Sequence, residues 1–265
     1  MIYANALSEE DIKKLATKTP SFESSPFIIE TAARRKRGLL ISQNGNYALT
    51  DNVGKTLTFT ISGIEKPVEI DGPWRVNFPS QLGAPPQISL PELIPLHQHS
   101  DAGVKYFSGT AVYSKSFSIT NKFTGSKHWF LDLGRVEVIA EVNLNGHEFG
   151  ILWKRPYQID VTDYLQNGLN KLEVRVTNLW PNRLIGDEQL SDPDKFAPGG
   201  GTSGREGLFS GNIEQLPDWY LNGRPKPVNG RIAFTTWKHY TKNAPLLESG
   251  LIGPVKLIQA AMKQL

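Results

Sequence analysis

Trp180, Asn182, Arg183 and Asp187 follow one another closely, and Trp237, His239 and Tyr240 form a second aromatic and polar group nearer the C-terminus. A flat indole can cover the C–H face of a pyranose, while planar amide and guanidinium groups read hydroxyls in pairs. Both kinds of group occur within Asn178-Leu179-Trp180-Pro181-Asn182-Arg183 and again within Trp237-Lys238-His239-Tyr240. The same residue types also pack cores, so the pattern specifies either a sugar-facing rim or a packing surface. Trp74, Trp129 and Trp153 read as core or inter-domain packing.

Acids offer a second chemistry. Glycoside hydrolysis needs two carboxylates facing each other across the scissile bond. Asp187-Glu188 are adjacent in sequence and point into one site only rarely, and Glu214 and Asp218 lie in a loop-rich stretch. No spacing fixes a pair, so these acids read as solvated or structural and no catalytic residue is assigned. Residues 199–204, GGGTSG, satisfy G-x-G-x-x-G in form, but Pro198 precedes them and neither a strand nor a helix flanks them, which makes them a loop. His97, His99 and Asp101 lack a further ligand and read as a surface loop rather than a metal centre. No metal site is assigned. A structural calcium held by Asp132, Asp160 and Asp163 is the one cofactor the loops allow.

Strands must position these groups. Val136, Val138, Ala140, Val142 and Leu144 alternate with Glu137, Glu141 and Asn143, a period of two that predicts one dry and one wet face. Asn145-Gly146 tolerates positive φ and predicts a hairpin turn. Leu172, Val174 and Val176 repeat the alternation against Lys171, Glu173, Arg175 and Thr177. Residues 160–165 predict a short turn that opens on a capping residue. Such a pattern builds a β-sandwich. Further strands are expected at 106–113, 116–119, 231–239 and 254–258, with a long irregular segment over 181–230 that loops of this length use for function or flexibility.

Upstream, Ser8 is the expected N-cap of one short helix over residues 8–17, with Glu9, Glu10 and Asp11 in its first turn. Strand signals follow at 27–29, 38–42, 46–49 and 57–61, with Asn44-Gly45-Asn46 as a hairpin turn. Asp71-Gly72-Pro73-Trp74 breaks the pattern. The expected organisation is therefore a helix plus a small antiparallel β unit over 1–70, then a sandwich over 71–265.

Composition excludes several classes. In 265 residues, 29 Lys and Arg stand against 26 Asp and Glu, a net charge of +3 that is too small to imply nucleic acid or a membrane surface. Arg34-Arg35-Lys36-Arg37 reads as a solvated face. With no cysteine, disulfides, thiolate ligands and a cysteine nucleophile are excluded. No signal peptide and no apolar run of membrane-spanning length is visible.

Five stretches carry a resemblance: DGPWRVNFP (71–79), GVKYFSGTAVYSKSF (103–117), LDLGRVEVIAEVNLNGHEFGILWKRPY (131–157), RVTNLWPNRLIGDEQL (175–190) and FTTWKHYTKNAPLLESGLIGPVKL (234–257). In that order and spacing they resemble the C-terminal region of large bacterial α-L-rhamnosidase-type enzymes, glycoside hydrolase family 106, over about residues 71–258. The resemblance implies a mainly β, jelly-roll or galactose-binding-like sandwich, similar to the sugar-binding domain of β-galactosidase-like enzymes. It implies a non-catalytic accessory role beside a catalytic barrel, supplied in cis or in trans, that acts on plant or bacterial polysaccharide or oligosaccharide. The family's catalytic acids belong to that barrel, which lies upstream, so none is carried over. The chain is expected to be a fragment or a stand-alone relative of the accessory region, periplasmic or extracellular if it serves an exported hydrolase. A complete small glycosidase and a structural interaction domain without sugar affinity remain the alternatives.

Overall fold

The computed structural model describes residues 27–30, 38–120, 127–197, 210–227 and 230–264. The predicted helix at 8–17, the basic cluster at 34–37 and the glycine run at 199–204 lie outside them. The chain divides into two compact units: Met1–Ile64 with Ala261–Leu265, and Glu65–Ala260.

In the first unit β1 (Phe27–Glu30) pairs antiparallel with β2 (Gly38–Ile41). The other edge of β2 takes Ala261–Gln264, the end of the last strand. β3 (Gly45–Thr50) and β4 (Thr56–Ile61) form a hairpin. Asp51 closes it, its Oδ1 accepting the N–H groups of Val53 and Lys55 at 3.0 and 2.9 Å. The expected turn at Asn44-Gly45 joins no hairpin, because β2 and β3 belong to different sheets. Asn44 instead grips the backbone of Ile64 through both ends of its amide, each at 2.8 Å. Ile41, Ile61 and Ile64 form the small core, with Tyr47 and Phe59 against it.

The second unit is a β-sandwich. One layer has six strands in the order β12 (His147–Leu152), β11 (Ile139–Leu144), β14 (Gly168–Thr177), β8 (Thr110–Ile119), β6 (Trp74–Asn77), β7 (Gln87–Leu90). The facing layer is built from β9 (Lys127–Asp132), β13 (Gln158–Asp160), β5 (Val68–Glu69) and the start of β18 (Lys256–Gln264). β10 (Arg135–Glu137) pairs with β17 (Gly250–Gly253). Ile70 bonds to Val255 and β5 pairs with β18, so the residues after Ile64 pack with the sandwich, ahead of the break expected near Ile70. The core takes Trp74, Tyr113, Val142 and Val174 from one layer and Trp129, Leu131 and Leu257 from the other.

Alternation along β11 and β14 places Ala140, Val142, Leu144, Leu172, Val174 and Val176 inside. Asn145 and Gly146 adopt φ of 54° and 89° at the hairpin between β11 and β12. One expectation changes: Val136 and Ala140 do not share a strand. The chain leaves β10, paired with β17, and enters β11, paired with β14, so Val138 is a half-buried crossing point between sheets. The runs at 106–113 and 116–119 are one ten-residue strand, β8, preceded by α1 (Ala102–Lys105), with Asp101 accepting the Val104 N–H as N-cap. The run at 231–239 forms only the two-residue β16 (Trp237–Lys238), paired with β15 (Ser210–Asn212). Trp74 and Trp129 are core, as expected, but Trp153 is 66% exposed where the chain leaves edge strand β12.

Introducing an acid at position 174 tests this register. Val174 is fully buried, so Val174→Asp sets an unpaired carboxylate among apolar groups and should cost several kcal/mol of a domain stability of about 5–15. Glu173 faces out and pairs with Arg175, so Glu173→Ala should change stability by under about 0.5 kcal/mol. Chemical denaturation of the two variants checks the contrast; equal effects would refute the assigned faces.

Candidate functional site

β14 ends at Thr177, and the residues beyond it dock through side chains that bond to backbone. Asn178 accepts the Gly109 N–H at 2.8 Å and donates to the Phe107 carbonyl at 2.9 Å. Ser108 donates to the Leu179 carbonyl at 2.8 Å and accepts from the Arg183 N–H. Pro181 then begins α2 (Pro181–Asp187), with its fixed φ suited to a first helical position. The irregular segment expected from residue 181 therefore opens with a helix. Gly186 lets it lie against Tyr106, since a Cβ there would sit 2.5 Å from the Tyr106 Cβ.

Asn182 is buried, donating from Nδ2 to the Leu247 carbonyl at 2.7 Å and accepting the Leu247 N–H at 2.8 Å. Asp187, 1% exposed, accepts the Ala233 N–H at 2.7 Å and the Ile232 N–H at 3.1 Å. Arg183 Nε lies 3.1 Å from Asp187 Oδ1, though without hydrogen-bond geometry. Burial pushes the Arg183 guanidinium below its usual pKa, against the opposing pull of Asp187. The polar groups of Asn182 and Asp187 thus hold Leu247 and the pair Ile232 and Ala233 against α2, while Arg183 answers the Asp187 charge within the helix.

Beside them is a charge cluster that the sequence did not disclose. Arg231 Nη2 reaches Glu188 at 2.7 Å and Asp192 at 3.1 Å, while its Nη1 donates to the Asp187 carbonyl at 2.8 Å. Lys238 Nζ approaches the same two carboxylates at 3.2 and 3.9 Å and lies over the Phe196 ring. Burial, aided by Asp192, raises the Asp194 carboxyl above its ordinary range. The partners sit 43 and 50 residues apart in sequence, so no local pattern joins them.

The aromatic members lie at the surface. Trp180 is 50% exposed and Trp237 is 40% exposed. Trp237 Nε1 donates to His239 Nδ1 at 2.9 Å, and the two rings are 4.9 Å apart. His239 and Tyr240 line a small cleft with Glu188 and Arg231. Among the described residues no ring contact joins Trp180 to that group. Glu214 and Asp218 are exposed.

The loops considered for metal are occupied by protein donors. Asp160 caps the Thr162 N–H at 2.9 Å and meets His128 Nδ1 at 3.0 Å; Asp132 accepts from the Gly134 N–H and Gln158 Nε2 at 2.8 and 2.9 Å. His99 accepts the Asp101 N–H at 3.1 Å. Among the described residues no three metal-ligating side chains come together.

This architecture defines a class. Residues 94–206 match the family model of the glycosyl hydrolase 2 galactose-binding domain-like region, and the sandwich is galactose-binding-like. Among individual proteins, the chain is 44% identical over 206 residues to a protein of Formosa agariphila that bears the name "Putative beta-glucuronidase", a match that covers 77% of this chain and 16% of the relative. Among solved structures it is similar to the rhamnosidase from Novosphingobium sp. PP1Y, at 25% identity and a TM-score of 0.57, over 95% of this chain and 26% of that one. The β-glucuronidase of Bifidobacterium dentium aligns at 18% identity and a TM-score of 0.43, over 74% of this chain and 30% of that one. The chain thus spans 16% of the Formosa relative's length and 26% of the Novosphingobium rhamnosidase's. No helix among the described residues is long and apolar enough to cross a membrane.

Two substitutions separate clamp from rim. Asp187→Asn places an NH2 donor against backbone N–H groups and removes the counter-ion of Arg183, which should cost about 2–4 kcal/mol and lower Tm by several degrees. Trp180→Ala, at a half-exposed site, should lower it far less. Differential scanning calorimetry checks the order; a larger loss for Trp180→Ala would contradict it.

Proposed function

We propose that this chain is the non-catalytic, galactose-binding-like accessory region of a larger glycoside hydrolase of α-L-rhamnosidase type. It supports a catalytic barrel supplied in cis or in trans and presents Trp180, Trp237, His239 and Tyr240 to saccharide at one end of the sandwich. The observation that carries this reading is the state of the carboxylates. Glycoside hydrolysis needs one acid able to hold a proton and a second free to act as base or nucleophile. Asp187 is held by backbone N–H groups and Arg183, and Glu188 and Asp192 by Arg231 and Lys238. Glu214 and Asp218 are solvated on exposed positions, and Asp194, whose carboxyl burial raises, stands beside Asp192, which is already paired with Arg231. Similarity to the Novosphingobium rhamnosidase over 95% of this chain supports the rhamnosidase setting, and the β-glucuronidase name of the Formosa relative keeps a uronic acid substrate for the whole protein in view. Asn182, Arg183 and Asp187 serve in this reading as the supports that hold the rim.

The purified chain should release no aryl alcohol from aryl α-L-rhamnosides or β-glucuronides above the buffer rate. Turnover that disappears in Glu188→Gln, or in Asp187→Asn at a temperature where that variant remains folded, would overturn the non-catalytic assignment. For recognition, calorimetry against a rhamnose-containing oligosaccharide should give a Kd of about 1 mM, as small polar ligands on open surfaces do. Trp180→Ala and Trp237→Ala should abolish that binding with little change in Tm. Absence of binding by the unmodified chain would leave these indoles as packing surface for the barrel.

A further inference from the structure

The outward face of the six-stranded sheet holds a second polar surface, away from the strand-exit rim. Register sets Asn143, Glu173, Ser114 and Arg75 side by side across β11, β14, β8 and β6. Lys171 lies opposite Ser116, two positions along the same face. These residues line an open cleft of about 690 Å³. At a strand spacing of about 4.8 Å and a rise of about 3.3 Å per residue, Arg75 and Lys171 stand roughly 12 Å apart, the length of a disaccharide.

The charges here differ from those at α2. Glu173, the only carboxylate lining the cleft among the described residues, is 3.1 Å from Arg175 Nε. Lys115 Nζ is bonded to the Gly72 and Pro73 carbonyls at 2.8 and 3.3 Å. Arg75 and Lys171 have no side-chain hydrogen bond or ion pair with the described residues, and neither do the hydroxyls of Ser114 and Ser116. Asn143 Oδ1 accepts the Gly146 N–H, which leaves its NH2 group for another acceptor. Two cations without a partner among the described residues therefore flank a floor of hydroxyl and amide groups that also holds the Arg175-paired Glu173, with no aromatic ring among the lining residues.

We propose that this face binds an anionic saccharide, a disaccharide-sized segment bearing a carboxylate or a sulfate ester. The guanidinium of Arg75 suits a planar carboxylate bidentately, and the Lys171 ammonium accepts either oxyanion as a point charge. Ser114, Ser116 and Asn143 meet the ring hydroxyls. Pro73 and the buried Leu172 are its apolar lining residues, and the cations and hydroxyls around them suit an oxyanion-bearing, hydroxylated ligand better than a lipid or an apolar peptide. The assignment is independent of the Trp180 and Trp237 rim, since Lys171 lies toward the opposite end of β14 from Thr177.

Titration calorimetry on the whole chain tests it, using β-1,4-linked diglucuronic acid, its neutral counterpart cellobiose, and 6-O-sulfated cellobiose as probes. At least one charged probe should bind at about millimolar Kd or tighter and at least about tenfold better than cellobiose, weakening as salt rises. A preference between the two charged probes identifies the oxyanion. Arg75→Gln and Lys171→Gln should each reduce the affinity at least about fivefold with Tm unchanged, both side chains being exposed. Trp180→Ala and Trp237→Ala should leave this binding intact, so that failure of the rim and failure of this face give different results. Binding that survives the Arg75→Gln, Lys171→Gln double variant, equal affinity for cellobiose, no binding of either charged probe, or tighter binding of a poly-Glu peptide would each overturn the proposal.

Discussion

The pairing of β14 with β8 along all ten residues constrains nearly everything else in the second unit. It fixes which side of both strands is dry, because a slip of one residue would turn Val174 and Val176 outward and Glu173 and Arg175 into the core. The buried face receives the facing layer through Trp129, Leu131 and Leu257. The wet face inherits its polar surface from the same register: with Val174 in, Glu173 must be out beside Asn143 and Ser114. The end of the ladder also determines where the chain must dock next, since Asn178 bonds to backbone on both sides of Ser108 immediately after Thr177.

Past that point there is little sheet left to satisfy the backbone, and side chains take over the task. Asn178, Asn182 and Asn44 each present a carbonyl oxygen and an amide NH2 to one stretch of chain, as a neighbouring strand would present its C=O and N–H. Asp187 does the same with acceptors alone, taking N–H groups of Ile232 and Ala233. A buried carboxylate is costly unless its lone pairs are met, so this bond set ties α2 and the segment around residues 231–233 together. Amide and acid side chains at a strand exit therefore suit polypeptide recognition as well as sugar recognition, and the sequence does not distinguish the two uses. Burial does.

That ambiguity explains what the sequence revealed and what it withheld. The alternation in residues 131–179 and the Asn145-Gly146 turn are local, and they defined a sandwich with the correct inward residues on β11 and β14, Val138 at the crossing between sheets excepted. The break between β10 and β11 was hidden because Val136 and Ala140 are both inward on their own strands, and only their different partners, Leu251 and Val176, separate them. The helix α2 carried a proline at its start but none of the usual N-cap side chains, Trp180 standing there instead. Pairing of β2 with the chain's last strand joins residues more than 200 positions apart, which no periodicity records. Of the candidate site residues, type and proximity were legible; that Asn182, Arg183 and Asp187 would be interior, and Trp180 and Trp237 exterior, depended on where residues 231–247 returned.

The two charged regions of the sandwich then have different physical roles. Around α2, Glu188 and Asp192 share Arg231 and Lys238 with side chains largely removed from solvent, so each charge already has its counter-ion. Replacing those partners with a ligand would require desolvating the newcomer and leaving buried charges unpaired, which makes the cluster a fastening. On the open sheet face, Arg175 answers Glu173 while Arg75 and Lys171 stand exposed, without a partner among the described residues. A ligand oxyanion there displaces only water and breaks no ion pair of the protein. Where a protein's own charges are mutually satisfied it holds itself together; where cations stand beside hydroxyls on an exposed face, it can hold something else.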